Sequence, residues 1–261
     1  MSDTMSDTMP DTLQIDPRHN GPRTSGNGGW VAGALARRLA ARTGAAVASV
    51  ALRATVPLGR PLPLRWGAGD ALLELLAGDR DGEGGSPVAD AAPATLDLTV
   101  PAAPADDVAG AAGVAARLRH QQRGLGDPYA SCFVCGFARP DGLGVIVGPV
   151  NDDGLMATIW TPPAALAGAD GRLPDEVVWA ALDCPAGMAW SHRLGRGQQI
   201  MTVRMTARID QPLHAGQRLR VLAWPLHQDG RKLHAGTAIV DAQGAVCALS
   251  QQLWLLPREA V

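Results

Sequence analysis

The sequence predicts an α+β fold made of two similar halves, in each of which an antiparallel sheet wraps one long helix. Three observations lead there. Each half opens on one stretch of helical periodicity and continues as several short strand-like runs. A Pro-, Ala- and Gly-rich stretch separates the halves at residues 101–130. The signals also repeat in order: helix, strand, Val56-Pro57-Leu58-Gly59 in the first half, and helix, strand, Gln211-Pro212-Leu213-His214 in the second. A lone sheet of this kind leaves its edges open, and pairing two of them about a pseudo-twofold axis closes those edges.

Residues 1–23 combine an MSDT repeat with Pro10, Pro17 and Pro22 and show no periodicity that would bury a face, so a disordered tail is expected. The first half follows over 24–100. Gly26-Asn27-Gly28-Gly29 runs into a helix over 30–42, where Trp30, Val31, Ala34, Leu35 and Leu39 share one face. Strands are expected over 47–56, 62–66, 71–76 and 95–100. Within the linker, 101–130, residues 108–121 predict a solvent-facing helix. The second half, 131–261, reads as a strand over 155–160, a helix over 176–190, and strands over 200–209, 219–227, 233–241 and 245–256. Asp229-Gly230 and Gly244 mark hairpin turns, which makes these strands antiparallel neighbours.

The chain has 261 residues, 46% of them hydrophobic and 18% charged, which is enough apolar material for a real core. A net charge of -2 gives no basic field for a nucleic acid. The longest apolar stretch is interrupted by Asp183, Pro185 and Gly187 and is too short to span a bilayer, so no membrane partner is expected. The acidic N-terminus does not read as a secretory signal, and a cytoplasmic location is expected. Of the four cysteines, only Cys132 and Cys135 stand at a suggestive spacing; Cys184 and Cys247 are isolated. With no second C-x-x-C or paired His at a suitable distance, no metal is expected there.

Cys132-Phe133-Val134-Cys135-Gly136, followed by Pro140-Asp141-Gly142-Leu143, resembles the opening segment of single-domain, PaaI-like thioesterases of the hotdog superfamily. The likeness continues over about residues 131–256, through Ala181-Leu182-Asp183, Thr202 and Gly230-Arg231-Lys232-Leu233. It implies a double hotdog, with two antiparallel sheets each wrapped around one long helix, and hydrolysis of an acyl-CoA or acyl-carrier thioester by water, without a cofactor. In that family the central helix begins with His-Gly-Gly and carries a carboxylate nine positions after the His. Asn27-Gly28-Gly29 looks like that helix start, but the ninth position on is Ala36; Asp183 looks like the carboxylate, but Pro174-Asp175-Glu176 stands where His-Gly-Gly would. Each half has lost what the other kept, which implies one composite site per chain.

The residues themselves allow that chemistry. Thioester hydrolysis needs donors at the oxygen that becomes negative and a base or nucleophile at the carbonyl carbon. Free N–H groups at a helix start supply such donors, so Gly28 and Gly29 are candidates; an ordinary turn capped by Asn27 would look the same. Asp183 interrupts an apolar helix and must reach solvent, find a partner or act as base or nucleophile. Thr202 is a candidate to hold that carboxylate or a water. Trp30, Glu176, Arg204, Arg231 and Lys232 are candidate substrate contacts, the cations because isolated Arg and Lys can bind phosphate. Arg139 and Arg208 share that reading. The rival functions are a non-catalytic acyl-thioester binding protein and an enoyl-thioester hydratase, although no hydratase motif is present. A homo-oligomer is left open.

Overall fold

The computed structural model describes residues 11–78, 85–195 and 200–258, so the MSDT repeat in residues 1–10 lies outside the described residues. The strands are β1 (Thr12–Gln14), β2 (Val47–Leu52), β3 (Pro61–Trp66), β4 (Leu73–Leu76), β5 (Pro87–Pro93), β6 (Gly148–Pro149), β7 (Met156–Trp160), β8 (Met201–Ile209), β9 (Leu219–Asp229), β10 (Lys232–Val240) and β11 (Val246–Leu255). The α-helices are α1 (Gly28–Thr43), α2 (Asp106–Gln122) and α3 (Asp175–Arg193).

All strands join one antiparallel sheet of 11, in the order β1-β3-β4-β5-β2-β8-β11-β10-β9-β7-β6. This corrects the expectation of two sheets. β2 and β8 pair from Val47 opposite Arg208 to Ala51 opposite Arg204, so the edge each half would have exposed becomes the seam between them. Outward from that seam the order is β2-β5-β4-β3-β1 on one side and β8-β11-β10-β9-β7-β6 on the other, the same arrangement twice except for the additional edge strand β6.

The expectation of disorder over residues 1–23 also needs correction for its described part, residues 11–23. β1 pairs with β3, and Leu13, Ile15 and His19 are buried. Three residues that add to an existing edge need no periodicity of their own. The expected strand over 95–100 is instead an irregular strap: its alternation is real, since Leu96, Leu98 and Val100 pack into an apolar cluster with Leu222 and Trp224, but it joins no ladder. The strand that occupies the position, β5, had been missed because Pro87-Val88-Ala89-Asp90-Ala91-Ala92-Pro93 is poor in β-branched and aromatic residues. The linker helix α2 is longer than expected and not wholly solvent-facing, for Ala109, Gly113 and Ala116 are buried.

Alternation along the strands explains why the second half reads as so apolar. Val221, Ala223, Ile239 and Ala248 face the core around α1 and α3, while their neighbours Leu222, Trp224, Ala238 and Leu249 face the strap and α2. Both sheet faces are therefore covered there.

α1 and α3 lie against each other at the centre of the core. Their backbones touch: a Cβ on Gly29 would come within 2.6 Å of the Trp179 carbonyl oxygen, and one on Gly33 within 2.8 Å of Glu176 Cα. This close crossing brings the start of α1 alongside the middle of α3.

Candidate active site

Asp183 stands where the two helices meet, on the wall of a cavity of about 330 Å³ that Asn27, Gly28, Cys132 and Thr202 also line. It is 3% exposed. Its Oδ1 accepts from Thr202 Oγ1 at 2.7 Å, and its Oδ2 accepts from the Gly29 N–H at 3.0 Å and from Asn27 Nδ2 at 3.1 Å. Burial pushes the carboxyl up from its ordinary 3.8 to about 6, and the Thr202, Gly29 and Asn27 donors hold it from rising further.

Each donor is fixed in turn. Asn27 is the N-cap of α1: its Oδ1 accepts from the Trp30 N–H at 2.9 Å, which leaves Nδ2 turned towards Asp183. The cap and the site ligand are thus one residue. Thr202 lies in β8, which places its hydroxyl over α3. Pro185, two residues beyond Asp183, removes a helix donor, yet α3 continues to Arg193. The buried Gln252 supplies a donor at that turn, with Nε2 2.6 Å from the Leu182 carbonyl oxygen, while its Oε1 accepts from Trp254 Nε1 at 2.9 Å.

Asn27, Gly28, Gly29, Asp183 and Thr202 therefore come together, but not all in the expected roles. The Gly29 N–H is occupied by the carboxylate, so the helix start offers one donor, not two. That donor is Gly28, whose N–H meets no acceptor among the described residues and whose residue lines the cavity.

The expected substrate contacts are placed elsewhere, and none of them lines this cavity. Trp30 stacks on His19 with ring centroids 3.4 Å apart. Glu176 is buried and binds Arg37 at 2.7 Å. Arg204 reaches Ser49 at 3.4 Å, Arg231 donates to the Leu256 carbonyl oxygen at 2.9 Å, and Lys232 lies 3.5 Å from Asp229. Arg139 binds Asp141, Asn20 and the Ser131 carbonyl, and Arg208 binds Asp210 and the Leu96 carbonyl. Sequence patterns mark such side chains as charged but do not show what already holds them.

Glu176 has a different meaning in the repeat. It stands two residues after the α3 N-cap Pro174, as Gly29 does after the α1 N-cap Asn27, and Ala36 takes the place of Asp183. At the symmetry-related location Glu176 is paired with Arg37.

Sequence reasoning missed the opposite wall. Tyr129, Cys184, Ile200 and Trp254 line this cavity and also a neighbouring one of about 430 Å³, which includes Met188, His120 and Arg123. The sulfur atoms of Cys132, Cys135 and Cys184 all lie within 4.8 Å of one another. Cys184 comes to the Cys132–Cys135 pair from α3, 49 residues beyond Cys135, so sequence spacing does not reveal it. Its position next to Asp183 was the available signal.

No family model matches the chain, and no curated protein does. Solved structures do. A TesB protein from Mycobacterium avium subsp. paratuberculosis superposes with a TM-score of 0.61 at 11% identity, over 95% of this chain and 92% of the other. A protein of unknown function with a hotdog fold from Alicyclobacillus acidocaldarius gives 0.57 at 14% identity, over 95% and 93%. The chain has a hotdog fold. A putative thioesterase II from Thermobifida fusca adds a match of 0.58 at 17% identity, over 96% and 94%. At these identities the hotdog likeness is one of architecture, and it extends over 95–96% of this chain. Among the described residues no helix is long and apolar enough to cross a membrane.

Proposed function

We propose that the protein hydrolyses acyl-CoA thioesters, with water as second substrate, at one composite site between its two halves. The observation that carries this reading is the Asp183 carboxylate: it comes from the second half, is held by Asn27 and Gly29 of the first, and faces a cavity lined by Gly28. In this scheme the thioester carbonyl oxygen sits at the start of α1, where the Gly28 N–H and the helix dipole stabilise the charge that develops on it. Asp183 takes a proton from water, which attacks the carbonyl carbon; the tetrahedral intermediate then collapses, the C–S bond breaks and the thiolate leaves. A carboxyl raised to about 6 is ionised at neutral pH and more basic than an ordinary aspartate. Asn27 and Thr202 orient it.

The neighbouring cavity offers apolar surface at Met188, Ile200 and Trp254 for an acyl or pantetheine chain, beside the Arg123–Asp127 ion pair at 3.5 Å. Arg37 and Glu176 pair at the second, symmetry-related location, in keeping with one site per chain.

The test is thiol release from a panel of short, medium, long and aromatic acyl-CoA esters, with and without a chelator. Hydrolysis of at least one class above background, lost in Asp183→Asn, is the expected result. Tight binding of a non-hydrolysable analogue at one equivalent per chain with no turnover would instead identify an acyl-thioester binding protein. Activity that survives in Asp183→Asn would remove the carboxylate from the mechanism.

A further inference from the structure

We propose that Cys132, Cys135 and Cys184 form a site for one thiophilic metal ion of the zinc class, bound by three sulfur atoms, with its remaining position open to solvent from the cavities. The inference goes beyond thioester hydrolysis, which needs no metal in the scheme above.

Geometry comes first. A tetrahedral zinc with Zn–S bonds of about 2.3 Å spaces its sulfurs about 3.8 Å apart. Cys132 and Cys184 Sγ are already 3.8 Å apart, and Cys135 completes a triangle in which no separation exceeds 4.8 Å. Closing the triangle on an ion asks the Cys135 sulfur to approach its partners by at most about 1 Å, within reach of a side-chain torsion. No disulfide competes in the structure, for all three are free cysteines.

The backbone that carries the first two sulfurs makes a tight turn, with the Cys132 N–H donating to the Tyr129 carbonyl at 2.9 Å. The Gly136 N–H closes the turn on the Cys132 carbonyl at 2.8 Å. A Cβ at Gly136 would fall 2.4 Å from that oxygen and 2.6 Å from the Cys132 nitrogen, so the turn tolerates only glycine. Such a turn presents two sulfurs on one side, and α3 delivers the third.

The site is both secluded and reachable. Cys132 and Cys135 are buried, which keeps competing water from the sulfurs. Cys132 and Cys184 line the first cavity, and Cys135 and Cys184 the second, so an ion can enter without unfolding. The position that three sulfurs leave open faces the cavities, so the fourth ligand is a solvent molecule. Protons compete with the ion for the sulfurs, so affinity falls on acidification.

The test is metal binding rather than turnover. The full chain, purified under reductant and stripped with a chelator, is titrated with Zn(II) and separately with Co(II). The expected result is about one equivalent bound per chain, and for Co(II) an intense near-ultraviolet sulfur-to-metal charge-transfer band with the visible bands of a tetrahedral ion. Cys135→Ser should lose most of the bound zinc and most of the charge-transfer intensity. Cys247→Ser, a buried cysteine outside the cluster, should lose neither. If Cys135→Ser proves poorly folded, the wild-type chain decides alone: release of zinc by a mercurial, in step with three modified thiols, supports the site. Less than about a tenth of an equivalent bound by the reduced wild type, or a Co(II) spectrum without sulfur charge transfer, overturns it. Neither outcome depends on whether any thioester is hydrolysed, so failure of this inference and failure of the thioesterase reading are separable.

Discussion

Replacing Asp183 by asparagine tests the site with little structural disturbance. The side chains have the same shape, and the hydrogen-bond partners can be kept: the amide oxygen accepts from Gly29 and Asn27, as Oδ2 does now, and the amide nitrogen donates to Thr202, whose hydroxyl can accept. The charge is what disappears. Moving the carboxyl from 3.8 to about 6 means that the ionised form costs the folded state about 3 kcal/mol at pH values above 6. The sign follows from proton uptake: between 3.8 and 6 the folded chain holds a proton that the unfolded chain has lost, so folding is favoured as pH falls through 6 and the penalty is complete above it. Asparagine carries no such penalty. At pH 8 Asp183→Asn should therefore be as stable as the wild type or more so, by at most about 3 kcal/mol, while turnover falls ~10²-fold or more, as expected for loss of a positioned base. In the wild type, kcat/KM should rise with pH through about 6 and level off, because the base of the free enzyme works only when ionised. Thermal unfolding and thiol release from the best acyl-CoA ester measure the two effects, with chelator present so that the cysteine cluster is in the same state in both proteins. A folded Asp183→Asn that keeps more than about a tenth of the wild-type turnover, or one that loses stability at pH 8 as sharply as activity, would refute the assignment.

Glu176→Gln, which removes one side of the Arg37 ion pair, should change turnover less than about twofold and stability by no more than about 1 kcal/mol, since Arg37 remains half-exposed; a loss comparable to that of Asp183→Asn in the same assay would show that two carboxylates share the work. Gly33→Ala forces a methyl to within 2.8 Å of α3 and should lower stability by about 1–3 kcal/mol in denaturant unfolding, and an unchanged midpoint would mean that the helices separate more easily than the packing shows. Burial, aided by the Arg18 charge, lowers His19 to about 4, and its Nε2 accepts from Arg18 Nε, which requires the neutral ring. The unfolded chain therefore takes up the proton first, near 6.5, and stability contributed by His19 should be lost as pH falls from 6.5 towards 4. His19→Gln should flatten that part of the melting-temperature profile, and an unaltered slope would remove His19 as its source.

Much of the plan was legible in the sequence because it is local. Helical spacing gave α1 and α3, turn residues gave the β9–β10 and β10–β11 hairpins, and the repeated order of elements gave the two halves. Asp183 stood out because a lone carboxylate in an apolar helix needs an explanation wherever that helix goes. What failed lacked a local signal. β5 has weak strand composition and exists because β2 and β4 offer ladders on both sides, while β1 is three residues added to an edge.

The site depended still more on distance. Asn27 reads in sequence as a helix cap, and it is one; that the same amide also holds Asp183 follows only from the α1–α3 crossing that Gly29 and Gly33 permit. The crossing also assigns the Gly29 N–H to the carboxylate, leaves Gly28 as the donor facing the cavity, and ties Glu176 to Arg37. Cys184 of α3 likewise meets Cys132 and Cys135 only in the folded chain. The sequence by itself determined which groups were available, because side-chain chemistry and helix or strand preference belong to individual residues and short stretches. Only the tertiary structure decided which groups satisfy one another and which remain free, because hydrogen bonds and ion pairs act over about 3 Å, and residues more than a hundred positions apart come that close only once the core is packed.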